Sequence, residues 1–351
     1  MQLEEIIAKI RPLDETAMRS ARVRQDALTK PRGSLGRLEE LSIHLAGMTA
    51  NPFPIVERKA VIVMAADHGV ALEGVSAYPA EVTPQMVLNF LRGGAAINVL
   101  ARQAGARVIV VDMGVAANIS DESGKLIRRK IGMGTANLAK SPAMTREQAQ
   151  ESIQTGIEVA RAEITRGVDI LATGDMGIGN TTASAAIASA LMNQSPDKIA
   201  GHGTGVDDNG LKRKIGVIAR SLEMNQPNRK DALDVLAKVG GFEIGGLTGV
   251  ILAAAANRKP IVIDGFISTA AAMIAAALAP AARDYMIAAH LSQERGHKLM
   301  LKWLGLNPLL DLNLRLGEGT GAVMAFHLIE ASTLILREMA TFDEAGVSDK
   351  E

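Results

Sequence analysis

The chain has 351 residues, with 38 lysines and arginines against 38 aspartates and glutamates, no cysteine and only 3% aromatic side chains. Without cysteine there is no disulfide framework, no thiolate metal site and no cysteine nucleophile. A neutral, aromatic-poor chain lacks the basic face and stacking rings of a general nucleic-acid binder, and 48% apolar residues describe a folded globular protein of one large domain or two smaller ones.

Residues 1–50 read as helices. Arg11-Pro12 stops the first, and Asp14 is placed to cap the next. A second break at 30–34 offers Ser34 as the expected cap of a helix whose leucines, Leu35, Leu38, Leu41 and Leu45, recur at helical spacing. The N-terminus has acids at Glu4 and Glu5 and lacks a basic region followed by an apolar core, so no export signal is read and a cytoplasmic location is expected. Four short, continuous apolar runs follow, at 59–66, 108–111, 169–172 and 260–263. Runs of that length fit strands covered on both faces. Alanine-rich helical patterns at 84–104, 145–165 and 181–191 lie between them, which predicts an α/β fold with a parallel sheet. The most membrane-like stretch, 266–282, is mostly alanine interrupted by Ser268 and Thr269, and reads as a buried helix. A helical pattern at 317–336 closes the chain. The terminal segments, 1–55 and 310–351, are expected to pack as a small helical domain beside a large α/β domain, 56–309.

The four runs end alike, in Asp67, Asp112, Asp175 and Asp264, each with a glycine nearby. Ligands of open parallel sheets bind outside the carboxyl ends of the strands, so a shared polar rim is expected there, although an aspartate after a strand also serves simply as a helix cap.

Gly174-Asp175-Met176-Gly177-Ile178-Gly179-Asn180-Thr181-Thr182 is the most informative segment. It joins a buried strand to a helix, and glycine-freed amides at a helix start attract an anion. It is neither a P-loop nor the dinucleotide fingerprint; an ordinary capped turn is the competing reading. In Leu314-Arg315-Leu316-Gly317-Glu318-Gly319-Thr320-Gly321 a carboxylate sits between two glycines at a helix start. Such a residue is either a solvated turn acid or a group that reaches a ligand, and an apolar pocket around it would make it a general base. Lys214 follows the glycine-dense loop 201–210. Basic runs are ordinarily solvated, but a phosphate site wants one such point charge. A further glycine turn at 132–137 has no clear strand before it. No two of the six histidines have metal-binding helical spacing, so no metal is expected. These residues describe a nucleotide-binding α/β protein. A sugar-phosphate regulator or isomerase would share the anion turn, whereas a dinucleotide dehydrogenase should show an early glycine fingerprint that is absent.

Several motifs taken together carry a resemblance: Pro31-Arg32-Gly33-Ser34-Leu35-Gly36-Arg37-Leu38, Ala66-Asp67-His68-Gly69-Val70, Glu81-Val82-Thr83, Gly177-Ile178-Gly179-Asn180-Thr181-Thr182, Asp234-Val235-Leu236-Ala237-Lys238-Val239-Gly240-Gly241, Asp264-Gly265-Phe266 and Arg315-Leu316-Gly317-Glu318-Gly319. From about residue 10 to about residue 340 the chain resembles the nicotinate-nucleotide–dimethylbenzimidazole phosphoribosyltransferase family. The resemblance implies a Rossmann-like parallel sheet with a small helical domain from both termini, a homodimer, and no cofactor. It implies transfer of 5-phosphoribose from nicotinate mononucleotide to 5,6-dimethylbenzimidazole, with Glu318 as the general base. It assigns Tyr78, Met86, Met176 and Leu316 to the base pocket. Gly177, Lys214, Gly265 and Ser292 go to the nucleotide phosphate, with Asp175, Asn180 and Thr181 beside them. Many members carry glutamate where this chain has Asp175, which is read as a binding residue and not as the base. A pocket built from methionine and leucine, with Tyr78 as its ring, is expected to accept several bases.

Overall fold

Val61, Ile62 and Val63 stiffen the backbone at χ1 and favour an extended chain. In the computed structural model, which describes residues 3–348, they lie in β1 (Lys59–Ala66), every residue of which is buried. β2 (Ala106–Gly114), β3 (Ile127–Arg128), β4 (Ile170–Met176), β5 (Ile261–Ile263) and β6 (Met286–Ala288) complete a six-stranded sheet in the order β3-β2-β1-β4-β5-β6. Every pairing is parallel. The order reverses direction between β1 and β4, and such a switch point opens a crevice at the carboxyl ends of the strands.

All four expected strands form. β3 and β6 were not foreseen: two and three residues are too short to leave a periodic signal. The helical stretch expected at 84–104 is two helices, Val82–Arg92 and Ala96–Gln103, because the chain turns through a left-handed Gly93 (φ 81°) between them. Asp14 caps the helix Glu15–Ala27, accepting from the Ala17 N–H at 2.8 Å. Ser34 does not cap its helix. Arg37–Thr49 starts behind Gly36, and Glu39 reaches back instead, accepting from the amides of Gly33 (3.3 Å) and Leu35 (3.0 Å) while pairing with Lys30 at 2.8 Å. The alanine-rich stretch forms the helix Phe266–Leu278, buried up to its last turn against the equally buried helix Phe242–Ala256. No helix among the described residues is long and apolar enough to cross a membrane.

The last long helix, Thr320–Glu338, joins two environments. Its C-terminal part packs on Glu15–Ala27 and Arg37–Thr49, where Ala17, Ala21, Ala46 and Leu336 form an apolar cluster separate from the main core. There the Thr29 N–H donates to the Ala340 carbonyl at 3.0 Å. Its N-terminal part lies against β1, β4 and β5, which brings the residues just before it to the strand ends.

Candidate active site

The crevice at the ends of β4, β5 and β6 is a cavity of about 360 Å³. Its first wall is the turn after β4. The helix Asn180–Met192 begins behind a left-handed Gly179 (φ 97°) and has no side-chain cap. The Asn180 amide group donates to an Asp175 carboxyl oxygen at 3.0 Å, and the Ile178 N–H donates to the Thr83 hydroxyl at 3.1 Å. Beneath this turn, His68 and Glu243 form a fully buried pair at 2.6 Å. Burial opposes charge on His68, but the charge and hydrogen bond of Glu243, with the Asp67 charge, together outweigh it and hold the imidazole above its usual proton affinity. Burial also pushes Asp175 well above the usual carboxylate range, reinforced by the nearby charges of Asp264 and Glu243.

Lys214 lies on the inner face of the helix Asp208–Asn225, only 1% exposed, whereas its neighbours Lys212 and Arg213 face solvent. Its ammonium donates to the Thr181 hydroxyl at 2.8 Å and to the Gly201 carbonyl at 3.3 Å. Lys214 is one step behind the cavity surface, since it is Thr181 that lines it. Burial lowers its proton affinity to about 8, against the pull of the Glu294 carboxylate.

The opposite wall is the turn before Thr320–Glu338. Gly317, Glu318 and Gly319 are all left-handed, at φ 87°, 63° and 92°. Glycine tolerates this; for a glutamate it costs about 1–2 kcal/mol, so the surrounding structure must hold it there. Two contacts do so. Gly174 in β4 passes so close that a Cβ on it would lie 2.4 Å from the Glu318 carbonyl oxygen. The Asp264 carboxylate accepts from the Gly319 and Ala322 amides at 3.1 and 2.9 Å, capping the helix from the end of β5. The Glu318 side chain accepts from the Ile97 N–H at 3.4 Å. Burial pushes its proton affinity up to about 7, with the Asp264 charge adding to the rise and the Ile97 amide opposing it.

The cavity gathers nearly all the residues expected from the sequence. Tyr78, Met86, Met176 and Leu316 line it together with Asp175, Gly177, Asn180, Thr181, Gly265, Ser292 and Glu318. Glu318 is therefore a buried acid on the cavity wall and not a solvated turn acid. The four-acid rim is only half realised. Asp175 lines the cavity and Asp264 lies directly behind Glu318, but Asp67 and Asp112 both serve the loop after β2. Asp67 accepts from the Ala116 N–H at 2.8 Å, and Asp112 accepts from Val115 at 2.9 Å while pairing with Lys130 at 2.9 Å. The sequence also missed several lining residues. Phe266 and His290 add rings beside Tyr78, and Glu294 and Arg315 add charge. Phe266 and Arg315 stood inside quoted motifs; His290 and Glu294 follow the unrecognised β6.

A family profile described as Phosphoribosyltransferase matches residues 10–347. A nicotinate-nucleotide–dimethylbenzimidazole phosphoribosyltransferase of Roseiflexus sp. (strain RS-1) is 62% identical over 348 residues, 99% of this chain and 98% of that protein. One of the same name from Desulforudis audaxviator is 60% identical over 346 residues, again 99% and 98%. The crystal structure of CobT from Thermus thermophilus superposes with a TM-score of 0.92 at 51% identity, covering 95% of this chain and all of that one. By profile, sequence and fold alike, the chain belongs to this phosphoribosyltransferase family.

Proposed function

We propose that this protein transfers 5-phosphoribose from nicotinate mononucleotide to 5,6-dimethylbenzimidazole, giving nicotinate and α-ribazole 5′-phosphate. The observation that carries the reading is the placement of Glu318, a buried carboxyl with a proton affinity of about 7, in the same cavity as the anion-attracting turn Gly177–Thr181. The acceptor is neutral and must attack through one ring nitrogen and lose the proton on the other. The new N–C1′ bond forms as the C1′–N bond to nicotinate breaks. The breaking bond's electron pair neutralises the departing pyridinium, so neither a strong acid nor a metal is required. The acceptor's proton passes to the Glu318 carboxylate. Attack opposite the leaving ring inverts C1′, turning a β-nucleotide into an α-product. The sugar carbon gains oxocarbenium character on the way, and holding the two rings on opposite faces of it supplies much of the acceleration.

Tyr78, Met86, Met176 and Leu316 form the base pocket in this reading, with Phe266 and His290 as further rings. Gly177, Thr181, Gly265, Ser292 and, through Thr181, Lys214 hold the phosphate, and Asp175 with Asn180 holds the ribose side. The terminal segments, of which residues 3–55 and 310–348 are described, act as a small helical unit, supported by the separate cluster around Leu336. The reading includes a homodimer: Tyr78 and Leu316, 55% and 57% exposed at the cavity mouth, are apolar surface for a second copy to cover. It also places the reaction in the cytoplasm. Incubation with nicotinate mononucleotide and dimethylbenzimidazole, followed for nicotinate release, tests the function; absence of release at millimolar substrate would sink it.

A further inference from the structure

His297 belongs to no motif and lies outside the cavity lining. It opens the helix His297–Leu304 that follows β6, and it is fully buried. Its Nδ1 accepts from the Ser292 N–H at 2.8 Å. An imidazole that accepts at Nδ1 carries its proton on Nε2. That nitrogen lies 2.8 Å from the Thr269 hydroxyl, which donates onward to the Gly265 carbonyl at 2.7 Å. Each donor thus meets an acceptor along an unbroken chain, Ser292 to His297 to Thr269 to Gly265. The two ends of this chain come from different strands, Gly265 from the end of β5 and Ser292 from beyond β6, and both line the cavity.

We infer that His297 is a positioning residue that locks the loops after β5 and β6 into one phosphate-binding unit and sets Ser292 to offer its hydroxyl rather than its amide. The inference rests on the assignment of Gly265 and Ser292 to the nucleotide phosphate. The Ser292 N–H is already engaged by the ring. The Ser292 hydroxyl oxygen accepts from the Glu294 N–H at 3.3 Å, so its own proton is free to point at a phosphate oxygen. A cationic ring could not accept from Ser292, and the surroundings keep it neutral: burial, with the adjacent His290 adding to it, lowers the proton affinity of His297 to about 3. Thr269 is equally buried, so the link cannot be replaced from solvent.

The test compares steady-state kinetics of His297→Phe, His297→Asn, Thr269→Val and Ser292→Ala, varying each substrate separately. His297→Phe is expected to raise the KM for nicotinate mononucleotide about tenfold, the scale of one hydrogen bond to a charged group. Its kcat and its KM for dimethylbenzimidazole should stay within about threefold. His297→Asn, whose side-chain oxygen can still take the Ser292 N–H, should recover most of the loss, and Thr269→Val should reproduce it in part. Equal damage to both KM values and kcat, or an Asn variant no better than Phe, would overturn the inference. Should the Phe variant fail to fold, an unchanged nucleotide KM in both His297→Asn and Thr269→Val would overturn it as well. If Ser292→Ala itself leaves the nucleotide KM unchanged, the phosphate assignment has failed, and the inference with it. If Ser292→Ala raises that KM while the His297 and Thr269 variants do not, only the role of His297 has failed.

Discussion

Two turns face each other across the cavity, and they are built alike. Each lies at a strand end, each leads into a helix through a left-handed glycine, and neither helix has a cap from its own first residue. They differ in what meets the helix start. At Asn180–Met192 the partners are neutral hydroxyl and amide groups with Lys214 behind, and Asp175 bonds the Asn180 side chain rather than the backbone. At Thr320–Glu338 the amides of Gly319 and Ala322 are already occupied by Asp264. The first helix start has no carboxylate on its backbone amides among the described residues, as the proposed phosphate site requires. The second does not stabilise Glu318: burial and the Asp264 charge outweigh the single Ile97 amide and hold its proton affinity at about 7, the range the proposed base requires. The two turns share one backbone device and differ in what the buried aspartate bonds: Asp175 the Asn180 side chain, Asp264 the helix amides.

The strongest challenge to this contrast is Glu318→Gln. Turnover should fall by about 10²–10⁴, the scale of a lost general base, while nucleotide binding measured by calorimetry stays nearly constant. Near-wild-type turnover would leave the second turn with no catalytic role. Gly174→Ala attacks the same turn through the backbone. A methyl group 2.4 Å from the Glu318 backbone carbonyl oxygen must shift the turn that carries the Glu318 side chain. The expected results are a turnover loss of about 10²-fold, as for a misplacement of about 1 Å, and a destabilisation of about 1–3 kcal/mol in denaturant melts.

Lys214→Ala probes the first turn. It should raise the KM for nicotinate mononucleotide about 10- to 100-fold with a smaller change in kcat; a change confined to kcat would remove the lysine from phosphate binding. The smallest effect is in the pH profile. Glu318 acts as its carboxylate, so kcat should rise as pH increases through about 7. Lys214 acts as its ammonium, so affinity for the nucleotide should weaken as pH passes about 8. Under Glu318→Gln the lower limb should vanish and the upper remain. Loss of both limbs together would show that the two turns titrate as one unit.

Much of the site was legible in the chain. Glycine density after an apolar run marked Gly174–Thr182 as an anion turn, and two glycines around an acid marked Glu318. These signals survive because backbone freedom and short polar groups are local requirements. The residues around β6 were not legible. A strand of three residues, Met286–Ala288, has no readable period, so His290, Ser292, Glu294 and His297 had no structural address from pattern alone; Ser292 was placed only through family resemblance. Asp67, Asp112, Asp175 and Asp264 looked equivalent because each ends an apolar run, and only what they meet in space distinguishes the two that bond the loop after β2 from the two at the cavity.

The sequence by itself determined the parallel α/β fold, the helical termini and the two glycine turns, since these depend on short-range burial and backbone freedom. The tertiary structure decided what the charged groups among them do. Lys214 stands in a run that water normally surrounds, and the sequence leaves Glu318 open between a solvated turn acid and a group that reaches a ligand. Their proton affinities of about 8 and about 7 come from desolvation by elements distant in the chain. Desolvation depends on what packs around a group in space, and no local pattern of residues encodes it.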